Sequence, residues 1–400
     1  QPLSLKSCEP IHLSLSSGGI KAIVLLMNSP QYSSPLLKVS GLDVVFKQPS
    51  QAEFVAVQDI SFQLERGQTL ALVGESGSGK SVTALSILGL LPYPQAWHPK
   101  GSITFKGQEL LGQSENLLRS IRGRKIAMVF QEPMTALNPL HTVEKQIGES
   151  LQVHLGFTPK QTRQRVIELL ELVGFPEGVD RLNAFPHQLS GGQRQRVMIA
   201  MALACEPEIL IADEPTTALD VTIQAGIIRL IQNLQKRFDM GLLLISHDLA
   251  MVAKIADNVA VMQGGEIVEY GTTQQVLRSP VHPYTQHLIA AEPHGHPSPV
   301  AASAPTVLQA SDVSVSFSKA RTFWEGLKGR EPEQVEAVQN VSLHLKQGET
   351  LGIVGESGSG KSTLAYALLR LQSCKASYLQ FEGQSLLGLS AKQMRLSPGP

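Results

Sequence analysis

Lys80 and Ser81 close the octapeptide GESGSGKS (Gly74, Glu75, Ser76, Gly77, Ser78, Gly79, Lys80, Ser81), Val82 follows it, and the same eight letters recur from Gly355 to Ser362. A lysine and a hydroxyl at the end of a glycine-rich loop are the groups that hold a polyphosphate. Gly74, Gly77 and Gly79 permit positive φ and close backbone approach, so successive N–H groups can wrap a β-phosphate at a helix N-terminus. The ammonium then reaches β/γ oxygens and the hydroxyl ligates Mg²⁺. Further along, the apolar run of ILIADEP ends in Asp213 and Glu214. Asp213 suits an outer-shell place on the metal, and Glu214, at the mouth of the strand, suits polarising an attacking water. Phosphoryl transfer asks mainly for such positioning and charge neutralisation.

These residues need a strand before the loop and a helix after it. Apolar Leu70 to Val73 precedes the first octapeptide, Leu351 to Val354 precedes the second, and a helical pattern such as SVTALSILGLL follows, so strand, loop and helix are predicted in both places. The repetition extends beyond the loop. Ala56–Ser81 aligns with Ala337–Ser362 at a constant offset of 281 with 17 identities in 26 positions, and FKGQELLGQS from Phe105 pairs with FEGQSLLGLS from Phe381 at an offset of 276. A period this long means duplicated domains rather than a solenoid. In the second copy the nucleotide-binding candidates are Gly355, Ser357, Gly358, Gly360, Lys361, Ser362 and Thr363, with Ser362 as the metal-binding hydroxyl. The predicted division is a lead at 1–35, a complete unit at 36–292 with a helical part at about 132–189, a Pro/Ala/Ser linker at 293–306, and a partial second unit at 307–400.

Four more stretches of the first copy narrow the chemistry. LSGGQ at Leu189–Gln193 opens the helical run QRQRVMIAMALA and stands 23 residues before Asp213; Gln131 in VFQEP lies 51 residues after Lys80; Asp220 sits in TTALD; His247 sits in LLLISHDL at the end of another apolar strand. Taken singly, Gln131 and His247 are ordinary polar residues at strand ends. In this order and spacing, the chain from Leu36 to Ala291 resembles the ATP-binding cassette of ABC transporters.

That resemblance implies an α/β fold of the P-loop NTPase type, a RecA-like core with an antiparallel β subdomain and a helical subdomain, followed by part of a second cassette. It implies ATP and Mg²⁺, with Lys80, Gln131, Glu214 and His247 as catalytic residues and Ser81, Gln131 and Asp213 around the metal. Gln131 would sense the γ-phosphate, metal and water, and His247 would contact the γ-phosphate. It also implies a head-to-tail cassette dimer in which Ser190, Gly191, Gly192 and Gln193 of one cassette close the ATP of the other, as the N–H groups of a helix start can do for an anion, and Asp220 works at the seam. An aromatic that stacks on adenine precedes the phosphate loop in this family. Phe46 is the candidate here, with a plain strand residue as the equal alternative.

Between Gln131 and Ser190, TPKQTRQRVIELLELVG predicts a helix with Thr158 as N-cap, Pro159 at its first position, Val166, Leu169, Leu170 and Val173 on one face, and Gly174 to end it. A small bundle packing on itself accounts for the stretch; the family also docks a short helix of its membrane subunits nearby, here around EPMTALNPLHTVEKQIGESL. VFQEPMTALNPLHTV and SPVHPYTQHLIAAEP resemble importers of dipeptides, oligopeptides and nickel, and two cassettes in one chain resemble peptide importers of the microcin C type. The resemblance then implies two membrane permease subunits, a periplasmic or extracellular peptide-binding protein, and a peripheral place on the cytoplasmic side of the inner membrane. Some relatives carry an iron–sulfur cluster after HPYT. EPHGH at Glu292–His296 holds no cysteine, so no cluster is expected, and His282, His287, His294 and His296 read as exposed polar residues.

Composition sets the remaining limits. Lys plus Arg and Asp plus Glu number 34 each, so no basic field for nucleic acid exists overall and no nucleic-acid partner is expected. The competing class is a soluble twin-cassette ATPase acting on ribosome or nucleic acid, but its charged linkers and coiled insertions have no counterpart here. A scaffold without catalysis is disfavoured because every catalytic position of the first copy is filled. Cys8, Cys205 and Cys374 are too few and too scattered for a disulfide framework. The most apolar early run, Ala22–Met27, is six residues where a spanning helix needs about 20. Gln1 is no initiator, the Ser/Pro/Gly-rich lead reads as disordered or non-native, and Met27 is a candidate start. The glutamine that should follow Lys361 at the first copy's interval falls past Pro400, so the second copy is expected to be truncated and to hold only its phosphate loop.

Overall fold

The structure, a computed structural model, describes residues 35–47, 53–217, 219–291, 295, 299–318, 334–356 and 358–389. The lead assigned to 1–35 lies outside them apart from Pro35, as do Ser357 and, in the 293–306 linker, residues 293, His294, His296, 297 and 298.

The apolar runs of the first copy build a parallel ladder. β10 (Asn258–Gln263), β3 (Thr69–Val73), β9 (Gly241–Ile245), β8 (Ile209–Asp213) and β7 (Ile126–Val129) lie side by side in that order, with β11 (Glu266–Thr272) antiparallel at the β10 edge. Every residue of β3, β7, β8 and β9 is buried, which is why these stretches read as unbroken apolar runs rather than as alternating ones. Successive side chains still point to opposite faces. Ala71, Val73, Leu210, Ala212, Leu242 and Leu244 enter one core, while Leu70, Leu72, Ile209, Ile211, Leu243 and Ile245 enter the other. Each such aliphatic side chain contributes about 1.5–3 kcal/mol on leaving water.

The second of these cores is closed by an antiparallel sheet ordered β2 (Phe54–Leu64), β1 (Leu37–Phe46), β5 (Ser102–Phe105), β6 (Gln108–Glu109), with β4 (Ala96–Trp97) paired to the Phe46 end of β1. Helix α1 (Lys80–Ile87) adds Ala84 and Ile87 to the same core, and Ile121 of α2 (Glu115–Ile121) joins them. The opposite core is covered by α7 (Val221–Phe238), α8 (Leu249–Ile255), α9 (Thr273–Arg278) and α10 (Pro283–Ala290), through Ile227, Ile231, Val252, Val276 and Tyr284.

Between β7 and β8 the chain leaves the sheet for α3 (Pro133–Ala136), α4 (Val143–Leu155), α5 (Pro159–Leu172), two 3-10 turns (Pro176–Arg181 and Pro186–Gln188) and α6 (Gly191–Leu203). Helix α5 starts as its sequence predicts. Thr158 and Gln161 form a reciprocal capping box, Pro159 takes the first helical position, and Val166, Leu169, Leu170 and Val173 are fully buried.

In the second copy, β13 (Gln334–Lys346), β12 (Thr306–Ser318), β14 (Tyr378–Phe381) and β15 (Gln384–Ser385) repeat the pairing order of β2, β1, β5 and β6. Leu364, Ala367 and Leu368 of α11 (Lys361–Leu368) pack with Val313, Val315, Val338 and Leu379. The strand predicted at Leu351–Val354 does not form: Leu351, Ile353 and Val354 are 45%, 42% and 91% exposed, and among the described residues no strand pairs with them. In the first copy β3 is held between β9 and β10, both contributed by chain that follows the loop. Among the described residues the Leu351–Val354 run has no such neighbours, and so no ladder to join.

Candidate functional site

The first octapeptide leaves β3 at its C-terminal end and is pressed against neighbouring backbone. Gly74 has φ 145°, and a Cβ there would lie 2.1 Å from the Met262 carbonyl oxygen; Gly79, at φ 100°, would meet the Ala56 carbonyl oxygen at 2.8 Å. Only glycine fits these two positions. Gly79 is also the N-cap of α1, so the helix begins at Lys80 with its first N–H groups directed at the loop. Lys80 is 6% exposed, and its ammonium donates to the carbonyls of Gly74 (2.9 Å) and Glu75 (2.7 Å) and to Ser78 Oγ (3.2 Å). Burial lowers its pKa, and the nearby carboxylates of Glu214, Asp213 and Glu75 work against that.

The carboxylates come from the adjacent strand ends. Ser81 Oγ donates to Asp213 Oδ1 at 3.2 Å, at the last residue of β8. Burial raises the Asp213 pKa, as does the Glu214 charge, while the Ser81 hydrogen bond and Lys80 oppose the shift. Glu214 follows at φ 44°, with its N–H donating to the Ile245 carbonyl at 3.0 Å. A left-handed glutamate costs of order 1–3 kcal/mol and persists only where its surroundings hold it. Here the side chain is held at both oxygens. Oε2 accepts from Gln131 Nε2 (2.8 Å) and Thr217 Oγ1 (2.9 Å), and Oε1 pairs with His247 Nδ1 (3.1 Å). Burial pushes this carboxyl up, but the hydrogen bonds from His247 and Thr217 and the charge of Lys80 outweigh it and leave the group below its ordinary value.

Gln131, Glu214 and His247 thus follow three adjacent parallel strands, β7, β8 and β9, beside the loop that follows β3, so all four lie at the C-terminal ends of neighbouring strands. Open α/β sheets bind their ligands at the C-terminal ends of the strands. A cavity of about 510 Å³ lies there, lined by Phe46, Phe54, Ser76, Gly77, Gly79, Lys80, Ser81, Val82, Gln131 and Glu214 among others. Phe46 faces Phe54 across the β1–β2 register. Sequence reasoning passed over Phe54 because residues 47–53 intervene, and over Thr217, whose only signal was its place three residues after Glu214.

Two groups of predicted residues stand apart from this cavity. Ser190 caps α6 in a reciprocal box with Gln193, Ser190 and Gly191 are exposed, and a Cβ on Gly192 would lie 2.9 Å from Ile223 Cγ2. None of Ser190–Gln193 lines the cavity. Asp220 caps α7, its Oδ1 accepting from Ile223 N–H at 3.0 Å, while its buried Oδ2 has no hydrogen-bond partner among the described residues. In the second copy, Lys361 folds back on the carbonyls of Gly355 (2.8 Å) and Glu356 (2.6 Å), and a Cβ on Gly360 would meet the Ala337 carbonyl oxygen at 2.2 Å. The loop geometry is repeated there, with Ser362 and Thr363 in the first turn of α11.

The family model described as ABC transporter matches residues 57–217 and 338–398. The chain belongs to the ABC transporter family. This ABC chain is 54% identical over 363 residues to the peptidoglycan transport ATP-binding protein YejF of Agrobacterium fabrum, covering 91% of the chain and 65% of that protein. It is 50% identical over 359 residues to an uncharacterized ABC transporter ATP-binding protein YejF of Escherichia coli (90% and 67% covered), and 44% identical over 390 residues to the glutathione import ATP-binding protein GsiA of Salmonella paratyphi A (91% and 62%). The chain spans about two thirds of the length of these curated relatives. Among solved structures, it is similar to the dimeric bacterial ABC transporter cassette MJ0796 at TM-score 0.54 and 27% identity, over 59% of this chain and 98% of that one. It is also similar to cbiO1 of Clostridium perfringens, part of an ABC transporter complex, at TM-score 0.52 and 28% identity, over 61% and 91%. The ABC fold, a P-loop core with its antiparallel and helical additions, is the one described above.

Proposed function

We propose that the first cassette binds Mg-ATP at the Lys80 loop and hydrolyses it to power import of short peptides through membrane permeases. The observation that carries this reading is the Glu214 carboxylate held between Gln131, Thr217 and His247 beside Lys80, Ser81 and Asp213. Loop N–H groups and the Lys80 ammonium neutralise the β- and γ-phosphates. Phe46 and Phe54, which line the same cavity, stack on the adenine. Glu214 polarises a water whose oxygen bonds to the γ-phosphorus as the bridging oxygen leaves with ADP. Gln131 and His247 orient the water and the γ-phosphate.

The donor set fits Mg²⁺. A serine hydroxyl and a buried carboxylate lie 3.2 Å apart, with the Gln131 amide at the same mouth, and hard oxygen donors in small number suit an ion that keeps several waters. When bound, the ion would offset the charge of the phosphate groups. Ser81 and Gln131 would contact it and Asp213 would hold one of its waters.

Ser190–Gln193 are read as closing the ATP of a facing cassette, since they are presented at a helix start away from their own cavity, and Asp220 is read as part of that seam. The domain division 36–292 and 307–400 belongs to the same reading, with the second loop, Gly355 to Thr363, as a further nucleotide site whose metal-binding hydroxyl is Ser362. Membrane partners are read from the surface after Gln131, where Met134 and Leu140 are exposed and where Phe130 and Ala136, with Met198, line a mostly apolar cavity of about 200 Å³. Among the described residues no helix is long and apolar enough to cross a membrane, so attachment would be through permeases, on the cytoplasmic side. A peptide cargo fits relatives named for peptidoglycan transport and glutathione import, delivered by a separate binding protein. Co-purification of the chain with two membrane subunits, and ATP turnover stimulated by short peptides with their binding protein in liposomes, is the expected outcome. A chain that turns over ATP but never associates with permeases overturns the import reading.

A further inference from the structure

The segment His282–Thr285 has no task in the site above, yet it reaches the phosphate loop. Its entrance is pinned by Glu269 of β11, whose carboxylate accepts from the N–H groups of Val281 (2.9 Å) and His282 (3.1 Å). His282 Nδ1 then caps α10 by accepting from the Tyr284 N–H at 3.2 Å, and Pro283 occupies the first helical turn. These contacts leave the Tyr284 ring 8% exposed, packed in the core beneath the parallel sheet.

The Tyr284 hydroxyl accepts a hydrogen bond from the backbone N–H of Glu75 at 3.0 Å, across 209 residues of sequence. The carbonyl of that same peptide unit, on Gly74, accepts from the Lys80 ammonium at 2.9 Å. One peptide plane is therefore held at both ends, by the lysine at its oxygen and by the tyrosine at its N–H. Gly74 has no side chain to resist rotation of this peptide, and a part-buried N–H without a partner is costly, so the phenol selects the orientation the lysine meets. Hydrogen bonds in series through one amide also strengthen each other.

We propose that Tyr284 is a positioning residue of the phosphate loop: it sets the Gly74–Glu75 peptide, and through it the Lys80 ammonium, so that the HPYT segment governs nucleotide affinity. The inference rests on the reading that this loop binds Mg-ATP. Its consequence is reciprocal. Whatever displaces α10 loosens the loop, and nucleotide bound at the loop holds α10 in place.

The test compares the full chain with Tyr284→Phe, which keeps the ring in its apolar bed and removes one hydroxyl, with Glu269→Gln, which leaves every ring in place and loosens the entrance of α10, and with Lys80→Ala. Mg-ATP titrated by calorimetry should bind Tyr284→Phe about 5- to 20-fold more weakly than wild type, the loss expected for one hydrogen bond to a part-buried amide, and Glu269→Gln more weakly in the same direction. The KM for ATP should rise to match while kcat changes less than about twofold, because the tyrosine touches no reacting atom. Hydrogen exchange in residues 72–79 should quicken in Tyr284→Phe, and Mg-ATP should slow exchange across 281–290 in wild type only. Wild-type affinity and exchange in both Tyr284→Phe and Glu269→Gln, with binding lost in Lys80→Ala, overturns the positioning role and leaves the site intact. Absence of Mg-ATP binding in wild type, or its survival in Lys80→Ala, overturns the reading on which the role rests.

Discussion

Thr217 Oγ1 donates to Glu214 Oε2 at 2.9 Å, and the Thr217 N–H donates to the Glu214 carbonyl at 3.1 Å, so the glutamate's backbone turn and its carboxylate are both held by a residue three positions later. Gln131 and His247 reach Glu214 from other strand ends, on flexible or exposed side chains. Thr217 is the local restraint.

Thr217→Val keeps the shape and removes the hydroxyl. Without it the Glu214 carboxylate loses one of the donors that fix its rotamer, and ATP turnover should fall about tenfold, within the range for a misplaced base. Mg-ATP affinity should stay within about twofold, and Thr217→Ser should recover turnover. A valine variant with wild-type kcat removes the restraint from the account.

Glu208, immediately before β8, accepts from Arg66, Lys106 and Lys125, tying the β2–β3, β5–β6 and α2–β7 connections to the parallel sheet. Its side chain is 15% exposed, and although burial pushes its pKa up, the hydrogen bonds of the three cations carry it below the usual 4.5. A carboxylate with a lowered folded value stabilises the fold fully above its unfolded pKa and loses that contribution as pH falls through the folded one. Glu208→Gln should therefore cost about 1–2 kcal/mol at pH 7, discounted for the partly exposed cations. Denaturant titrations should show the gap to wild type holding steady down to about pH 5 and narrowing below 4.5. A gap unchanged between pH 7 and pH 3 would show that packing, not charge, holds this junction.

Gly79→Ala places a methyl where the Ala56 carbonyl oxygen sits 2.8 Å away, at a left-handed φ. The loop must shift away from β2, so nucleotide binding should drop at least tenfold while the α5 and α6 half of the chain keeps its hydrogen-exchange protection. Binding at wild-type strength would mean that the close approach of loop and β2 is dispensable.

Much of this was legible because local chemistry and tertiary packing agree. Thr158, Pro159 and Gln161 carry a helix start in three side chains, Ser190 and Gln193 carry another, and the buried runs Leu70–Val73, Ile209–Ala212 and Gly241–Ile245 hold no polar side chain. The long-range contacts were not legible. That β8 lies between β9 and β7, bringing Gln131 and His247 onto one carboxylate, is decided by pairing between segments far apart in the chain. The HPYT segment was visible as a motif, but the reach of Tyr284 to Glu75 depends on where β11 delivers α10. Leu351–Val354 shows the converse failure, since an apolar run predicts a strand whether or not neighbours exist to pair with it.

In the proposed function, Glu214, held between Gln131, Thr217 and His247, drives ATP hydrolysis at the Lys80 loop. Glu214→Gln preserves the shape of the side chain and removes its charge, so the direct measurement is ATP turnover and Mg-ATP binding in that variant beside wild type. Binding should persist within a few-fold while turnover falls about 10²–10⁴-fold. Turnover at the wild-type rate, with ATP still bound, would contradict the account and place the polarising group elsewhere.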